Sequence, residues 1–333
     1  MAGGRTRPPL TPALREIQQL VAVRLDEVYA ELRRIVTADI PLIEEAGDHL
    51  LQMRGKMLRP TLLLLASESD GSPDQRAIPL AAAVELIHLA TLVHDDAVDH
   101  SVLRRGMPTI NSLFSHQVSV LMGDFLYARA LATLVQGGEF EALRILTAAS
   151  VEMSVGEIRQ LAAFDALRFS EDDYFALIRA KTAALFSGAL EVGALCGAER
   201  HRAALALFGV RLGMAFQIAD DLLDYTEDAA VTGKPTGLDL KEHKVTLPLI
   251  HVLRSVSVAE RARVDALFAA AEPSDDQIAD VISIVAQHGG LDYARQRGEQ
   301  IAQDAEEALA TLPDTPARSA LLDIIAYVMD RRS

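Results

Sequence analysis

The stretch LFSGALEVGALCG, residues 185–197, is apolar around most of the circumference of a helix. Such a helix has no face to offer water, so it must be wrapped by other helices in a large bundle or at a subunit interface. Half of the 333 residues are hydrophobic and only 5% are aromatic, with no Trp, and the apolar segments are dominated by Ala and Leu, which favour helix. No segment alternates with a two-residue period between hairpin turns, and no strand-helix-strand rhythm appears. The expected fold is all-α.

Helical spacing is read at about 12–45, 60–68, 77–100, 112–136, 139–161, 172–196, 201–226, 243–255, 259–270, 275–287, 291–311 and 316–331, with Gly and Pro as punctuation between them. Residues 1–12, with Pro8, Pro9 and Pro12, are expected to be a mobile leader, and 13–333 one domain. The part after Pro273 is the one candidate for a separately packed layer. A net charge of −15 disfavours nucleic acid and anionic bilayers as partners. The N-terminus has no apolar signal core, and the longest strongly apolar run, around Leu62 to Ala66, is far short of the roughly 20 residues of a membrane span. These features predict a soluble, cytoplasmic protein with no span. The single cysteine, Cys196, allows no intrachain disulfide or thiolate metal site and is expected as a buried thiol.

Two segments carry chemistry. ELIHLATLVHDDAVDH (85–100) places Asp95 and Asp99 four residues apart on one helix face, with Asp96 beside them and His88 two turns earlier on the same stripe. MAFQIADDLLDYTED repeats the pattern with Asp220, Asp221 and Asp224, and Gln217 one turn earlier. Crowded carboxylates at the end of an apolar helix raise one another's pKa and call for cations. Ligands made only of oxygen select a hard ion such as Mg²⁺, which shares its shell between a few carboxylates, water and phosphate oxygens. Two facing clusters are therefore suited to a diphosphate. Cations stand at discrete places in this acidic chain: Arg54-Gly55-Lys56-Met57-Leu58-Arg59, Arg104-Arg105, Lys181, Lys234 and Lys244. Lys181 lies among Ala, Leu and Phe, where an unpaired ammonium is costly, which argues for a bound anion.

The segments GKMLRP, HDDAVD followed by RRGMPT, GDFLYARA, KTAALF, FQIADDLLD and GKPTGLDLKEHKVTLPL, spread from about Gly55 to Leu249, resemble the trans-prenyl diphosphate synthase (polyprenyl synthetase) family in content and order. Long-chain members are the most similar. The resemblance implies a single-domain bundle of the isoprenoid synthase type, with about 10–13 helices around a central cavity, acting as a homodimer. It implies head-to-tail condensation of isopentenyl diphosphate with an allylic diphosphate, up to three Mg²⁺ being held by Asp95, Asp96, Asp99, Asp220, Asp221 and, directly or through water, Asp224. Lys181, Lys234 and Arg104 would neutralise the departing diphosphate. Lys56, Arg59, His88 and Arg105 would bind isopentenyl diphosphate, Lys244 would join the substrate-binding cations, and Gln217 and Thr182 would stand near the allylic cation. The sequence departs from the commonest pattern at Arg54 and Met57, where the family often has Gly and Arg.

Ala90 and Thr91, small residues where short-chain members place an aromatic floor, imply a product beyond C20, whose release is expected to involve transient membrane contact. A short-chain C15–C20 synthase, a class I terpene cyclase and a noncatalytic subunit of a heteromeric synthase are the alternatives. A cyclase usually mixes Asn, Ser or Thr with Glu in its second metal motif, and noncatalytic subunits tend to lose the Asp clusters, whereas this chain keeps both.

Overall fold

The computed structural model describes residues 13–53, 55–71, 73–162, 166–226 and 236–330. Arg54, Lys234 and the leader expected at 1–12 lie outside them. The described chain is all-α. Its helices are α1 (Leu14–Gln18), α2 (Ala22–Val36), α3 (Pro41–Gln52), α4 (Leu58–Glu68), α5 (Ala77–Val98), α6 (Ile110–Leu113), α7 (His116–Gln136), α8 (Phe140–Ala162), α9 (Glu171–Ile178), α10 (Ala184–Leu195) and α11 (Arg202–Thr226). They continue with α12 (Leu238–Lys241), α13 (Leu247–Val252), α14 (Val258–Ala269), α15 (Asp275–Gln287), α16 (Gly290–Ala308) and α17 (Pro316–Met329).

There are more segments than the expected 10–13 because stretches read as one helix are broken. The segment read as helical from Pro12 to Glu45 is interrupted by a 3₁₀ turn at Gln19–Val21 and by extended backbone before Pro41, which lacks an N–H and opens α3. The 172–196 segment contains a π-turn, Arg179–Ala183, between α9 and α10. Starts are marked by serine caps: Ser170, Ser257 and Ser274 each form capping boxes. A small hairpin, β1 (Leu103–Arg104) and β2 (Met107–Pro108), was not expected, since strands of two residues are too short to show alternation. Its turn residues, Arg105 and Gly106, both have positive φ (53° and 74°), the geometry that suits a two-residue hairpin.

The main core joins α2, α4, α5, α7, α8, α10 and α17. A second apolar cluster joins α9 with α13, α14 and α15, and both α11 and α16 contribute to each. Leu62 to Leu65 are all fully buried, as is nearly all of α5 from Leu80 to Ile87. Each fully buried Leu contributes about 2 kcal/mol by transfer from water. Close approach is set by glycine at the crossing of α11 with the π-turn, where a Cβ on Gly213 would lie 2.5 Å from the Ala183 Cα. Cys196 is buried, and burial pushes its thiol up to about 12.

The absence of any membrane-length apolar segment, expected from the run at Leu62–Ala66, is corrected. α5, α7 and Glu199–Thr226 are long and apolar enough to cross a membrane by length and composition. Reading uninterrupted runs missed them because isolated Ser, Thr, His and Gly break a run without lowering the mean hydropathy much. In α5, 67% of the apolar window is buried against other helices, against 33% in α7.

Candidate active site

α5 and α11 each end in their Asp cluster. Asp95 and Asp96 occupy the last turn of α5, Asp99 is its C-cap, and Asp220, Asp221 and Asp224 lie in the last two turns of α11. A helix C-terminus already carries partial negative charge, so both clusters oppose their own helix dipoles. This arrangement lowers stability unless cations arrive. Lys244, at the far side of the second cluster, interacts electrostatically with both Asp239 and Asp99, so the two helix ends look into a common space.

The six aspartates are not equivalent. Asp95 and Asp99 form no side-chain hydrogen bond or ion pair among the described residues, and burial pushes Asp95 up to about 6. Asp96 is buried and held by Arg104, whose Nε lies 2.8 and 3.0 Å from its two oxygens and whose Nη2 lies 2.8 Å from Oδ1. Asp221 is buried too: its Oδ2 accepts from the Tyr174 hydroxyl (2.6 Å) and its Oδ1 from the Gln217 amide (2.8 Å). Gln217 Oε1 in turn accepts from Thr182 Oγ1 (2.7 Å). Asp224 accepts from the Leu238 and Asp239 amides, both at 3.0 Å, and so caps α12 from a distance in sequence. Asp220 is exposed at the rim.

The Thr182–Gln217–Asp221–Tyr174 chain ties the π-turn to α11. A π-turn shifts the register of the residues it carries, and such turns concentrate at functional sites. Here it carries both Lys181 and Thr182. The expectation of a buried, unpaired Lys181 is corrected. Its side chain is 34% exposed, and its ammonium lies 2.6 Å from Glu157 Oε2 on α8. Sequence reading missed Glu157 and Tyr174, which come from distant helices with no motif of their own. It noted Asp239 only as a residue between lysines, yet burial and then Asp224 push that carboxyl up to about 7.

Further back along α5 from the Asp cluster, Arg59, Arg104 and Arg105 surround His88, and Arg59 and Arg105 also face Glu85. Arg59, at the start of α4, lies over the Phe186 ring (4.9 Å), and its buried Nε has no hydrogen-bond partner. Burial pulls its guanidinium down to about 10, with Glu85 opposing and Arg105 reinforcing that shift. His88 is pulled well below its ordinary value by burial first, then by Arg59, Arg105 and Arg104, and is neutral. Arg105 donates to the Met53 carbonyl (2.9 Å), and Gly55 lets it lie flat there, since a Cβ would fall 2.6 Å from Nη1. Lys56 stands over the Tyr327 ring at 5.6 Å, and Lys244 pairs with Glu242 at 2.6 Å. Met57 and Arg105 have positive φ, which ordinary side chains adopt at a cost. Buried Glu85, with Oε2 unpartnered, was missed by sequence reading because it sits inside an apolar run.

Along α5, Thr91 and His88 continue the partly accessible stripe from Asp95. The Thr91 hydroxyl donates to the His88 carbonyl (2.8 Å), so it offers no free donor to a hydrocarbon. Ala90 is different: it is 1% exposed and packed in the core.

The site suits hard divalent cations as a partial shell. Among the described residues, no three His, Cys, Asp or Glu groups close on one point. Among the described residues Asp95 and Asp99 are nevertheless acceptors without protein donors, and Mg²⁺ with few protein ligands is completed by water and phosphate oxygens.

The polyprenyl synthetase family model matches residues 40–285. The chain is 36% identical to the octaprenyl diphosphate synthase of Haemophilus influenzae, over 95% of this chain and 96% of that protein. Among solved structures it is similar to a decaprenyl diphosphate synthase from Rhodobacter capsulatus, with TM-score 0.91 and 40% identity over 96% of this chain and 99% of the other. It is also similar to a polyprenyl synthase from Caulobacter crescentus CB15 complexed with calcium and isoprenyl diphosphate. That match has TM-score 0.92 and 34% identity over 98% and 100% of the two chains.

Proposed function

The chain belongs to the polyprenyl synthetase family and is a prenyltransferase, a trans-prenyl diphosphate synthase, and from that premise we propose how its residues share the work. Isopentenyl diphosphate is condensed head-to-tail with an allylic diphosphate, giving inorganic diphosphate and an all-trans product longer than C20. The observation that carries the site assignment is the pair of Asp clusters set against two helix dipoles and facing one space.

Asp95 and Asp99, which accept from no protein donor among the described residues, would be direct ligands for up to three Mg²⁺, and exposed Asp220 would join them from the rim of the second cluster. Asp96, Asp221 and Asp224, each already held by protein donors, orient that first set or bind through water. Bound Mg²⁺ supplies charge neutralisation on the allylic diphosphate. Lys181 and Arg104, with Lys234 from outside the described residues as a third cation, would add positive charge there as the allylic C–O bond breaks and the diphosphate leaves with the electron pair. Thr182 and Gln217 turn their dipoles toward the cation that remains. The isopentenyl double bond, held through Lys56, Arg59, Arg105 and neutral His88, supplies the electrons of the new C–C bond. Proton loss, to the departed diphosphate, restores the alkene. No side-chain nucleophile is needed.

Purified protein given Mg²⁺, isopentenyl diphosphate and C5, C10, C15 or C20 primers in separate reactions should yield products beyond C20, measured by chromatography of the dephosphorylated alcohols. Products ending at C15–C20 would overturn the long-chain reading. No condensation with any primer would leave the catalytic one without support.

The active form is proposed to be a homodimer. Val151, Val155 and Ile158, exposed by 63%, 41% and 64%, follow i, i+4, i+7 spacing on α8; Leu161 (66%), three residues further along α8, and Leu121 (65%) on α7 are exposed as well. An apolar stripe at helical spacing matches a second copy of itself across a two-fold axis. The double substitution Val151→Glu and Ile158→Glu should shift the sedimenting species from dimer to monomer; an unchanged mass would remove this face from consideration. A cytoplasmic enzyme releasing so apolar a product is expected to meet the bilayer transiently.

A further inference from the structure

The loop that carries Lys56 has its carbonyls tied down by three side chains from outside it. Met53 O accepts from Arg105 Nη1 (2.9 Å), Lys56 O from Gln18 Nε2 (2.8 Å), and Met57 O from Thr61 Oγ1 (2.7 Å). The same Gln18 nitrogen also donates to Thr61 Oγ1 (2.9 Å), so Gln18 and Thr61 form one relay onto two consecutive carbonyls. A carbonyl can only accept, which fixes the orientation of the Gln18 amide.

Gln18 is the last residue of α1, outside the matched region 40–285. α1 is short and is held by Leu14 (8% exposed) and Ile17 (4%), and it packs on α17, whose Tyr327 lies under Lys56. The first and the last of the described helices thus meet at this loop.

We propose that Gln18 is a positioning residue for isopentenyl diphosphate, acting through Lys56 O and Thr61. The physical reason is peptide planarity: in a trans peptide the N–H points opposite to the C=O. Drawing the Lys56 and Met57 carbonyls back toward Gln18 and Thr61 turns the Met57 and Leu58 amides the other way. It also keeps two negative carbonyl oxygens from facing a diphosphate. Met57 adopts the left-handed conformation (φ 49°, ψ 36°) at the N-cap of α4, and the relay restrains it there. Leu58 and Arg59 follow as the first helical residues, whose amides have no intrahelical partner.

The inference rests on the reading of Lys56 and Arg59 as isopentenyl diphosphate ligands. The test is steady-state kinetics on the full-length enzyme, varying each substrate separately, for Gln18→Leu, Thr61→Val, Thr61→Ser, the Gln18→Leu/Thr61→Val double variant and Arg59→Ala. Gln18→Leu should raise KM for isopentenyl diphosphate about 3- to 10-fold, the loss of one or two ordinary hydrogen bonds. KM for the allylic substrate and the melting temperature should stay near wild type. Thr61→Val should follow it, Thr61→Ser should restore normal behaviour, and the double variant should be no worse than the poorer single one. An unchanged isopentenyl KM in Gln18→Leu, with Arg59→Ala raising it, would overturn the proposal alone. Equal shifts in both KM values, with a lower melting temperature, would also overturn it, since that is what mere docking of α1 predicts. If Arg59→Ala too left KM unchanged, the assignment of the site itself would fall.

Discussion

Asp95→Asn should lower kcat about a thousandfold while leaving a protein that melts slightly higher than the wild type when metal-free. The two effects share one cause. Asp95 is desolvated, sits at the negative end of α5, and has Asp99 and Glu157 as like-charged neighbours, with Lys181 the main opposing charge. Removing its charge relieves repulsion and a dipole mismatch together worth about 1 kcal/mol. It also removes a ligand for the ions that neutralise the leaving diphosphate, where loss of one such contact typically costs 10²–10³ in rate or more. Asp96→Asn should behave differently. It weakens the hold on Arg104, which then loses its carboxylate partner, so that variant should melt lower and raise KM for the allylic substrate. Single-turnover rates with excess Mg²⁺, beside thermal melts in chelator, separate the two. An Asp95→Asn enzyme with near-normal kcat would remove Asp95 from the metal set, whatever its stability.

That contrast marks where sequence reading succeeded and where it stopped. Spacing alone placed Asp95 and Asp99 together and put Gln217 one turn before Asp221, because the 3.6-residue period is a local property. It could not separate Asp95 from Asp96, since the difference is Arg104 returning on a hairpin too short to leave a pattern. Tyr174 and Glu157 were invisible for a related reason. Each reaches the site by packing between helices distant in sequence, with 47 residues separating Tyr174 from Asp221. Lys181 shows the limit most clearly. Its apolar neighbours in sequence suggested deep burial, but the π-turn brings it out to Glu157, and no propensity signals that turn. The all-α class was legible because strands need alternation that the chain lacks over any useful length. The membrane-length character of α5 was not, because its polar residues break the run and only folding shows that its apolar sides are occupied.

Thr91→Phe should convert the enzyme from products beyond C20 to products of C20 or shorter, with little loss of stability. Thr91 lies one turn from Asp95 on the partly accessible stripe of α5, and its hydroxyl is satisfied by the His88 carbonyl. A growing chain whose reacting carbon is held at the Asp end must pass this position as it lengthens. A benzyl group there is a wall rather than a loss of function, so the first condensations should proceed at nearly normal rates and only the later ones should stop. Ala90→Phe gives the control, because Ala90 is 1% exposed and packed against its neighbours. Added volume at that position strains the core, at a cost of about 1–3 kcal/mol, and should lower the melting temperature. If both variants made the wild-type product, the chain would not run along this stripe. If Ala90→Phe alone shortened it without destabilising the protein, the tunnel would lie on the face of α5 that is packed here. Product lengths and melting curves for the two variants therefore locate the tunnel wall to within a single residue.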